Sequence, residues 1–130
     1  MRAMNNYLLV AVGGGIGAVA RFKLSGVALH ATSDWRFPLG TFVVNVLGCL
    51  IAGVLAGLVE RQELFSAETR IFLFTGLLGG FTTFSAFGVE TVALMRRGEF
   101  AVAGAYVGLS VVCGLVALWL AMAAIPHRPA

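Results

Sequence analysis

Polar side chains recur at helical spacing inside otherwise apolar stretches of this sequence. Thr41 and Asn45 are four residues apart, and so are Tyr106 and Ser110. This spacing places two side chains on one face of a helix. Polar groups within a long apolar helix are costly and tend to face the interior of a helix bundle. Together with Ser85, these residues would supply hydroxyl and amide hydrogen-bond donors along an interior path.

Two phenylalanines would add a second kind of group to this path. Phe84 and Phe87 are three residues apart and would share a helix face. The alternative is that they simply pack in a core. The edge of a phenyl ring is electropositive and can face an anion. Because the interior path holds no Lys or Arg, its neutral donors and ring edges suit a small anion better than a sugar or a peptide. Arg21 could concentrate anions at a mouth.

The glycines and threonines that precede these rings predict a break in their helix. Gly79-Gly80 is followed by Thr82-Thr83, and glycine is about 1 kcal/mol less favourable than alanine in a helix. Backbone groups freed by a break within a membrane must be buried, line a cavity or bind an ion. Broken helices commonly direct their carbonyls at a cation. The alternative is a continuous helix with a flexible glycine pair.

One acid lies in the same extended apolar stretch. Glu90 stands six residues before Arg96, and an acid within a membrane span is a candidate functional residue. We expect Glu90 to lie at an aqueous vestibule. The alternative is a proton or cation-substrate site, which would make the protein an exporter.

The composition requires that these residues be positioned in a membrane. The chain has 130 residues, of which 59% are hydrophobic and 12% are charged, against roughly 25% charged residues in a soluble domain. So few charges cannot cover the surface of a small soluble domain. The composition therefore argues against a soluble enzyme, excludes a disordered chain, and favours a small integral membrane protein.

Uncharged runs indicate how many times the chain crosses the membrane. Residues 37–59, 71–89 and 100–126 carry no charge, and a span needs about 20 helical residues. A fourth run begins at Tyr7 and continues past two cations. An N-terminal signal peptide, cleaved near Ala20, is the alternative interpretation of that run. We predict an all-α single domain with four transmembrane helices at about 7–29, 38–59, 71–95 and 100–125, the third broken near mid-membrane.

The distribution of loop cations hardly predicts the orientation of the chain in the membrane. Four spans place four cations on one side, namely Arg2, Arg61, Arg70 and Arg128, and five on the other, namely Arg21, Lys23, Arg36, Arg96 and Arg97. Orientation follows the excess of Lys and Arg in short loops. The near balance leaves two interpretations open: a single loop dominates the orientation, or the chain inserts in both directions. Such dual topology would permit an antiparallel homodimer.

Small residues in each span predict close helix packing and an oligomer. Glycines four apart clear one helix face for another backbone. These pairs are Gly13/Gly17, Gly53/Gly57, Gly76/Gly80 and Gly104/Gly108.

Cysteine and histidine suggest no further chemistry. Cys49 and Cys113 lie within predicted spans without metal-ligand neighbours, so we expect them to be packing residues. His30 and His127 lie at span ends, where we expect them to face solvent. No nucleophile–base set or metal cluster is apparent, so we predict neither an enzyme nor a nucleic-acid-binding protein.

At these residues the chain resembles the fluoride channel family, Fluc, also called CrcB. The resemblance covers nearly the whole chain, and its most specific part is the run from Gly76 to Phe87 followed by Glu90-Thr91. Further matching positions are Gly13 to Ala18 with Arg21 in the first span, and Gly40, Thr41, Asn45 and Gly48 in the second.

The resemblance implies an assembly, an ion and a set of site residues. Members are antiparallel dual-topology homodimers with two fluoride pathways and a structural sodium ion between the subunits. The implied sodium ligands are the carbonyls of Gly79 and Thr82. The implied fluoride pathway comprises Phe84, Phe87, Asn45, Thr41, Ser85, Tyr106 and Ser110, with Arg21 at the vestibule.

Two departures from the family pattern concern the hydroxyl groups of the path. Ala86 stands where a Thr is frequent, and Gly114 follows Ser110 where a second Ser can occur. The row of hydroxyl side chains along the path is therefore expected to be shorter in this protein. The resemblance implies passive export of cytoplasmic fluoride across a bacterial inner membrane. The rival is a proton-coupled small-molecule exporter resembling the small multidrug resistance proteins, which place their essential acid in the first span.

Overall fold

A computed structural model of the protein describes residues 1–31 and 36–129. The regular structure in those residues is helical. Residues 32–35, which form most of the predicted first loop, lie outside the described residues, as does the side chain of Arg2. The elements are α1 (Arg2–Ala31), α2 (Leu39–Gln62), α3 (the continuous segments Ala67–Arg70, Ile71–Leu78 and Gly79–Phe81), α4 (Ser85–Arg96) and α5 (Phe100–Ala124).

Four helical stretches are long and apolar enough to cross a membrane. They are Ala3–Ala31, Leu39–Gln62, Ala67–Arg96 and Phe100–Ala124. Large apolar side chains are exposed along them, as expected where lipid replaces water as the solvent. The prediction of an all-helical, multi-pass membrane protein is therefore confirmed. His30 and His127 are exposed, as expected, and both cysteines are partly buried free thiols.

The third span is broken, as the sequence predicts, but the glycine pair is not the break itself. Gly79 and Gly80 are still helical. The chain leaves the helix at Thr82, whose φ is −83° and ψ is 158°, and α4 begins at Ser85. The Thr82 hydroxyl donates to the Leu78 carbonyl (2.9 Å), which adds to the bonds of the last turn. The π-helical winding of Ile71–Leu78 was not foreseen in the sequence.

Glycines bring the backbones of α1 and α3 into direct contact. A Cβ at Gly17 would overlap the Leu77 carbonyl oxygen, and a Cβ at Gly80 would overlap that of Gly14. The predicted glycine packing is thus observed for α1 against α3. It is also observed for α2 against α5, where Gly53 meets the Leu118 carbonyl.

The expectation is wrong for the last pair within this chain. A Cβ at Gly104 or Gly108 would meet no atom within 4 Å. Those two glycines therefore form an exposed surface of α5 that carries no side chains. They do not contact another helix of the described chain.

We expect Gly17→Ala to destabilise the protein by about 1–3 kcal/mol, the usual cost of forcing extra volume into a packed site. The added methyl would press on the carbonyl of Leu77, which cannot rotate away as a side chain would. Gly15→Ala in the same helix is the matched control, because a Cβ there meets nothing within 4 Å. Thermal melting in detergent would measure both, and equal melting temperatures would contradict the packing argument.

The ends of α2 and α5 are joined by a set of polar contacts to the C-terminal segment. The Arg61 guanidinium donates through Nη1 to the carbonyls of Ala123 (3.0 Å) and Ile125 (2.7 Å). Gln62 Nε2 donates to the Pro126 carbonyl (2.7 Å), and the Arg128 amide donates to the Arg61 carbonyl (3.0 Å). A cation here satisfies carbonyls that the end of α5 leaves free.

Removing these contacts should loosen the α2–α5 pair. We expect Arg61→Ala to lower the free energy of unfolding by about 1.5–3 kcal/mol, the range for hydrogen bonds that involve a charged group. Arg70→Ala, an exposed cation at the same end of the bundle, should leave the melting temperature in detergent unchanged. A decrease of the same size in both variants would show that the Arg61 contacts are not responsible.

Candidate functional site

Asn45 of α2 holds the broken backbone of the third span. Its Nδ2 donates to the Thr83 carbonyl (2.8 Å), and its Oδ1 accepts from the Thr83 amide (2.8 Å). An amide side chain can make this paired contact because it carries a donor and an acceptor side by side. We call this pair of bonds the clamp. It shows why a single amide stands in the middle of an apolar helix.

The clamp frees backbone carbonyls on the α3 side of the break. The Thr83 amide, which in a continuous α-helix would bond to the Gly79 carbonyl, is taken by Asn45. The Ala86 amide, the helical donor for the Thr82 carbonyl, bonds instead to Thr83 Oγ1 (3.1 Å). The carbonyls of Gly79 and Thr82 are therefore without their helical donors.

Arg21 of α1 engages the neighbouring carbonyl of the same turn. Its Nε donates to the Gly80 carbonyl at 3.2 Å, and a cation at this end of α3 is favoured by the helix dipole. Arg21, Gly79, Gly80, Thr82 and Phe84 all line a cavity of about 640 Å³, here called the break cavity. Arg21 thus lies beside the break.

The freed carbonyls are chemically suited to a hard cation. Oxygen ligands are those that hard cations prefer, and Gly79 and Thr82 both line the break cavity. Among the described residues, no group of three or more His, Cys, Asp and Glu side chains could hold a metal ion. Backbone carbonyls, rather than a cluster of acidic, histidine or cysteine side chains, are therefore the groups among the described residues that would hold a hard cation at the break.

Glu90 of α4 joins two other helices through both of its carboxylate oxygens. Thr41 Oγ1 donates to Oε1 (2.7 Å), and the Tyr106 hydroxyl donates to Oε2 (2.6 Å). The Tyr106 side chain has no exposed surface, and Thr41 is also buried. Three predicted site residues from α2, α4 and α5 therefore meet at one point. Glu90 also lines the break cavity and a second cavity, described next.

The second cavity opens at the end of the bundle that carries the α4–α5 loop. It has a volume of about 310 Å³ and is here called the mouth cavity. Its lining includes Thr41 and Glu90 and the two arginines Arg36 and Arg97. The sequence shows both arginines only as loop cations, because they are 61 positions apart and nothing in their spacing links them.

The two pathway phenylalanines lie beside the Glu90 group. The ring centroids of Phe84 and Phe87 are 5.6 Å apart, and those of Phe87 and Tyr106 are 5.0 Å apart. Phe84 is 83% exposed in the isolated chain, whereas Phe87 packs against the cluster that contains Leu94 and Tyr106. The rings therefore connect the exposed break to the buried tyrosine.

The remaining predicted hydroxyls are less closely grouped. Ser110 Oγ is buried, and no hydrogen-bond partner for it lies in the described part of the chain. Ser85 Oγ lies 3.3 Å from Thr83 Oγ1 at the break. A Cβ at Gly114 already meets Cys49 Sγ at 3.2 Å, so a serine at this departure from the family pattern would be crowded by Cys49.

Comparison with known proteins assigns the chain to a family. It matches the family described as CrcB-like protein, Camphor Resistance (CrcB), over residues 8–122. A fluoride-specific ion channel FluC of Methylobacillus flagellatus is 56% identical over 117 residues, covering 90% of this chain and 91% of the relative. A protein of the same name from Hyphomonas neptunium is 49% identical over 121 residues, covering 92% of this chain and 94% of the relative. Another from Rhizobium etli is 47% identical over 116 residues, covering 89% of this chain and 92% of the relative. Since the match includes the first span, the break and the Glu90 group, the chain belongs to the CrcB family.

Proposed function

We propose that this protein is a fluoride-selective channel that lets cytoplasmic fluoride leave the cell passively and so limits its toxicity. The observation that carries the proposal is the similarity over nearly the full length to relatives named fluoride-specific ion channels, at up to 56% identity. The chain also has four helices able to cross a membrane. A bacterial inner membrane is the proposed location.

We propose that fluoride passes between neutral donors and ring edges. Phe84 and Phe87 would present electropositive edges, and Ser110 would present its hydroxyl. Tyr106 would line the path with its ring, since its hydroxyl hydrogen is donated to Glu90 in this structure. The buried Ser110 hydroxyl supports this role, because it has no partner within the described residues, and buried polar groups normally have one. The other proposed pathway residues are Thr41, Asn45 and Ser85, with Arg21 and Glu90 at the vestibule.

Asn45 has a donor to spare for such a role. The clamp uses one Nδ2 hydrogen and the Oδ1 atom, and an amide carries two donor hydrogens. We therefore propose that Asn45 positions the break and offers its second hydrogen to the ion.

The proposed assembly is an antiparallel, dual-topology homodimer. It is supported by the nearly balanced loop cations, by Phe84 being 83% exposed beside the break, and by the open glycines Gly104 and Gly108 on α5. Exposed glycines allow a second backbone to approach closely. The dimer would bring two sets of break carbonyls together.

A structural sodium ion is proposed at that junction. The carbonyls of Gly79 and Thr82 would hold it in each protomer, and the ion would supply positive charge to neutralise the carbonyl dipoles. The clamp would keep the Gly79 carbonyl out of a helical bond by holding the Thr83 amide, and Thr83 Oγ1 would do the same for the Thr82 carbonyl by holding the Ala86 amide.

The rival, a proton-coupled small-molecule exporter, gains no support. Both Glu90 oxygens already accept hydrogen bonds from Thr41 and Tyr106, and the first span contains no acid. The relatives are named as channels, which also argues against an enzyme.

Fluoride efflux from liposomes tests the proposal. Purified protein in liposomes with a potassium gradient and valinomycin should release fluoride, as measured by a fluoride electrode, and should not release chloride. Folded protein that releases no fluoride in sodium-containing buffer would refute the proposal. Equal release of chloride would refute the selectivity.

A further inference from the structure

Two exposed arginines from different parts of the chain line the mouth cavity. Arg36 precedes α2 and Arg97 follows α4, and both line this cavity together with Thr41 and Glu90. The Arg97 side chain is 61% exposed, and Arg36 is also exposed. Cationic side chains around a cavity raise the local concentration of anions.

The same cavity reaches residues of the proposed fluoride pathway. Thr41 and Glu90 lie there, and their hydrogen bond continues to the buried Tyr106 hydroxyl. Both Glu90 oxygens accept hydrogen bonds within the protein, which stabilises the carboxylate. Its negative charge remains and offsets part of the arginine charge at this cavity. The cavity therefore leads from two cations to the proposed pathway residues.

The carboxylate of Glu99 lies close to Arg97 and reduces the positive charge there. Glu99 Oε1 lies 3.8 Å from Arg97 Nε, and the Glu99 side chain is only 20% exposed. Its other oxygen is buried without a hydrogen-bond partner in the described residues. Glu99 therefore offsets part of the Arg97 charge.

We propose that Arg36 and Arg97 form an anion-collecting entrance to the mouth cavity, whose strength Glu99 limits. The proposal rests on the proposed channel function and adds to it the residues that gather the ion. The entrance acts on any small anion, so it changes the rate of fluoride entry and leaves the preference for fluoride over chloride unchanged.

The test compares fluoride efflux at two ionic strengths, in liposomes of neutral lipid with a salt of an impermeant organic anion. The Debye length is about 30 Å at 0.01 M and about 3 Å at 1 M. We expect the double variant Arg36→Gln/Arg97→Gln to be about threefold slower than wild type at 0.01 M and equal to it at 1 M, because only long-range attraction is screened. Glu99→Gln should be faster than wild type at 0.01 M alone.

Two controls separate charge from structure. Arg36→Lys/Arg97→Lys keeps the charge and should restore the wild-type rate at low ionic strength. Arg70→Gln removes an exposed cation that does not line the mouth cavity and should have no effect at either ionic strength.

Each outcome bears on one proposal or on both. A conducting wild type whose double variant shows the same deficit at both ionic strengths, or none at either, overturns the entrance and leaves the channel intact. A wild type that releases no fluoride at either ionic strength overturns the channel proposal, and the entrance falls with it.

Discussion

Replacing Phe84 or Phe87 by isoleucine is expected to reduce fluoride efflux by about a hundredfold, equivalent to about 2.7 kcal/mol of added barrier. Isoleucine keeps an apolar side chain but lacks the electropositive edge that a phenyl ring offers to an anion. Phe84 lies beside the break and is 83% exposed, and its ring centroid is 5.6 Å from that of Phe87. The measurement is efflux from liposomes at equal protein content.

Phe22→Ile is the matched control for this experiment. Phe22 is 79% exposed on α1, so its exchange tests the general effect of losing an exposed ring. We expect wild-type efflux from this variant, and size-exclusion profiles of all three variants should match that of the wild type. Unchanged efflux in both Phe84→Ile and Phe87→Ile would refute the proposed role of the ring edges.

Removal of the clamp is expected to destabilise the protein more than any other single polar substitution described above. Asn45→Ala leaves the Thr83 amide and carbonyl without their partners, and each unsatisfied buried group costs about 1–3 kcal/mol. Fluoride efflux should be lost as well, because the break would no longer hold its carbonyls in place. Thermal melting in detergent and liposome efflux would measure the two effects.

Asn45→Asp distinguishes the clamp from a general need for a polar residue. A protonated aspartate carries a donor and an acceptor, as asparagine does, whereas an ionised one carries acceptors only. The ionised form would face the Thr83 carbonyl without a donor. The melting temperature of Asn45→Asp should therefore rise on acidification relative to that of Asn45→Ala. A parallel pH dependence of the two variants would show that the clamp is not responsible.

The exact residue at which the third span leaves its helix could not be predicted from the sequence. Gly79-Gly80 correctly indicates a weak helix, since glycine propensity is a local property. The residues that actually leave the helix are Thr82 and its neighbours, because Asn45, on another helix, takes the Thr83 amide. No local pattern contains a partner 38 positions away.

The glycine pairs illustrate the same limit in packing. All four pairs have the same spacing, and the sequence cannot rank them. In the structure, Gly17 and Gly80 meet carbonyls of a facing helix, whereas Gly104 and Gly108 face open space. The contacting face of each helix depends on where its neighbours lie.

The sequence by itself determined the membrane class, the four spans, the weak third helix and the family resemblance. These follow from composition, from run length against bilayer thickness and from local motifs. Only the tertiary structure decided which polar residues meet: Glu90 with Thr41 and Tyr106, and Arg36 with Arg97 around one cavity. These residues are far apart along the chain, so their proximity is set by helix packing, which depends on all four spans at once.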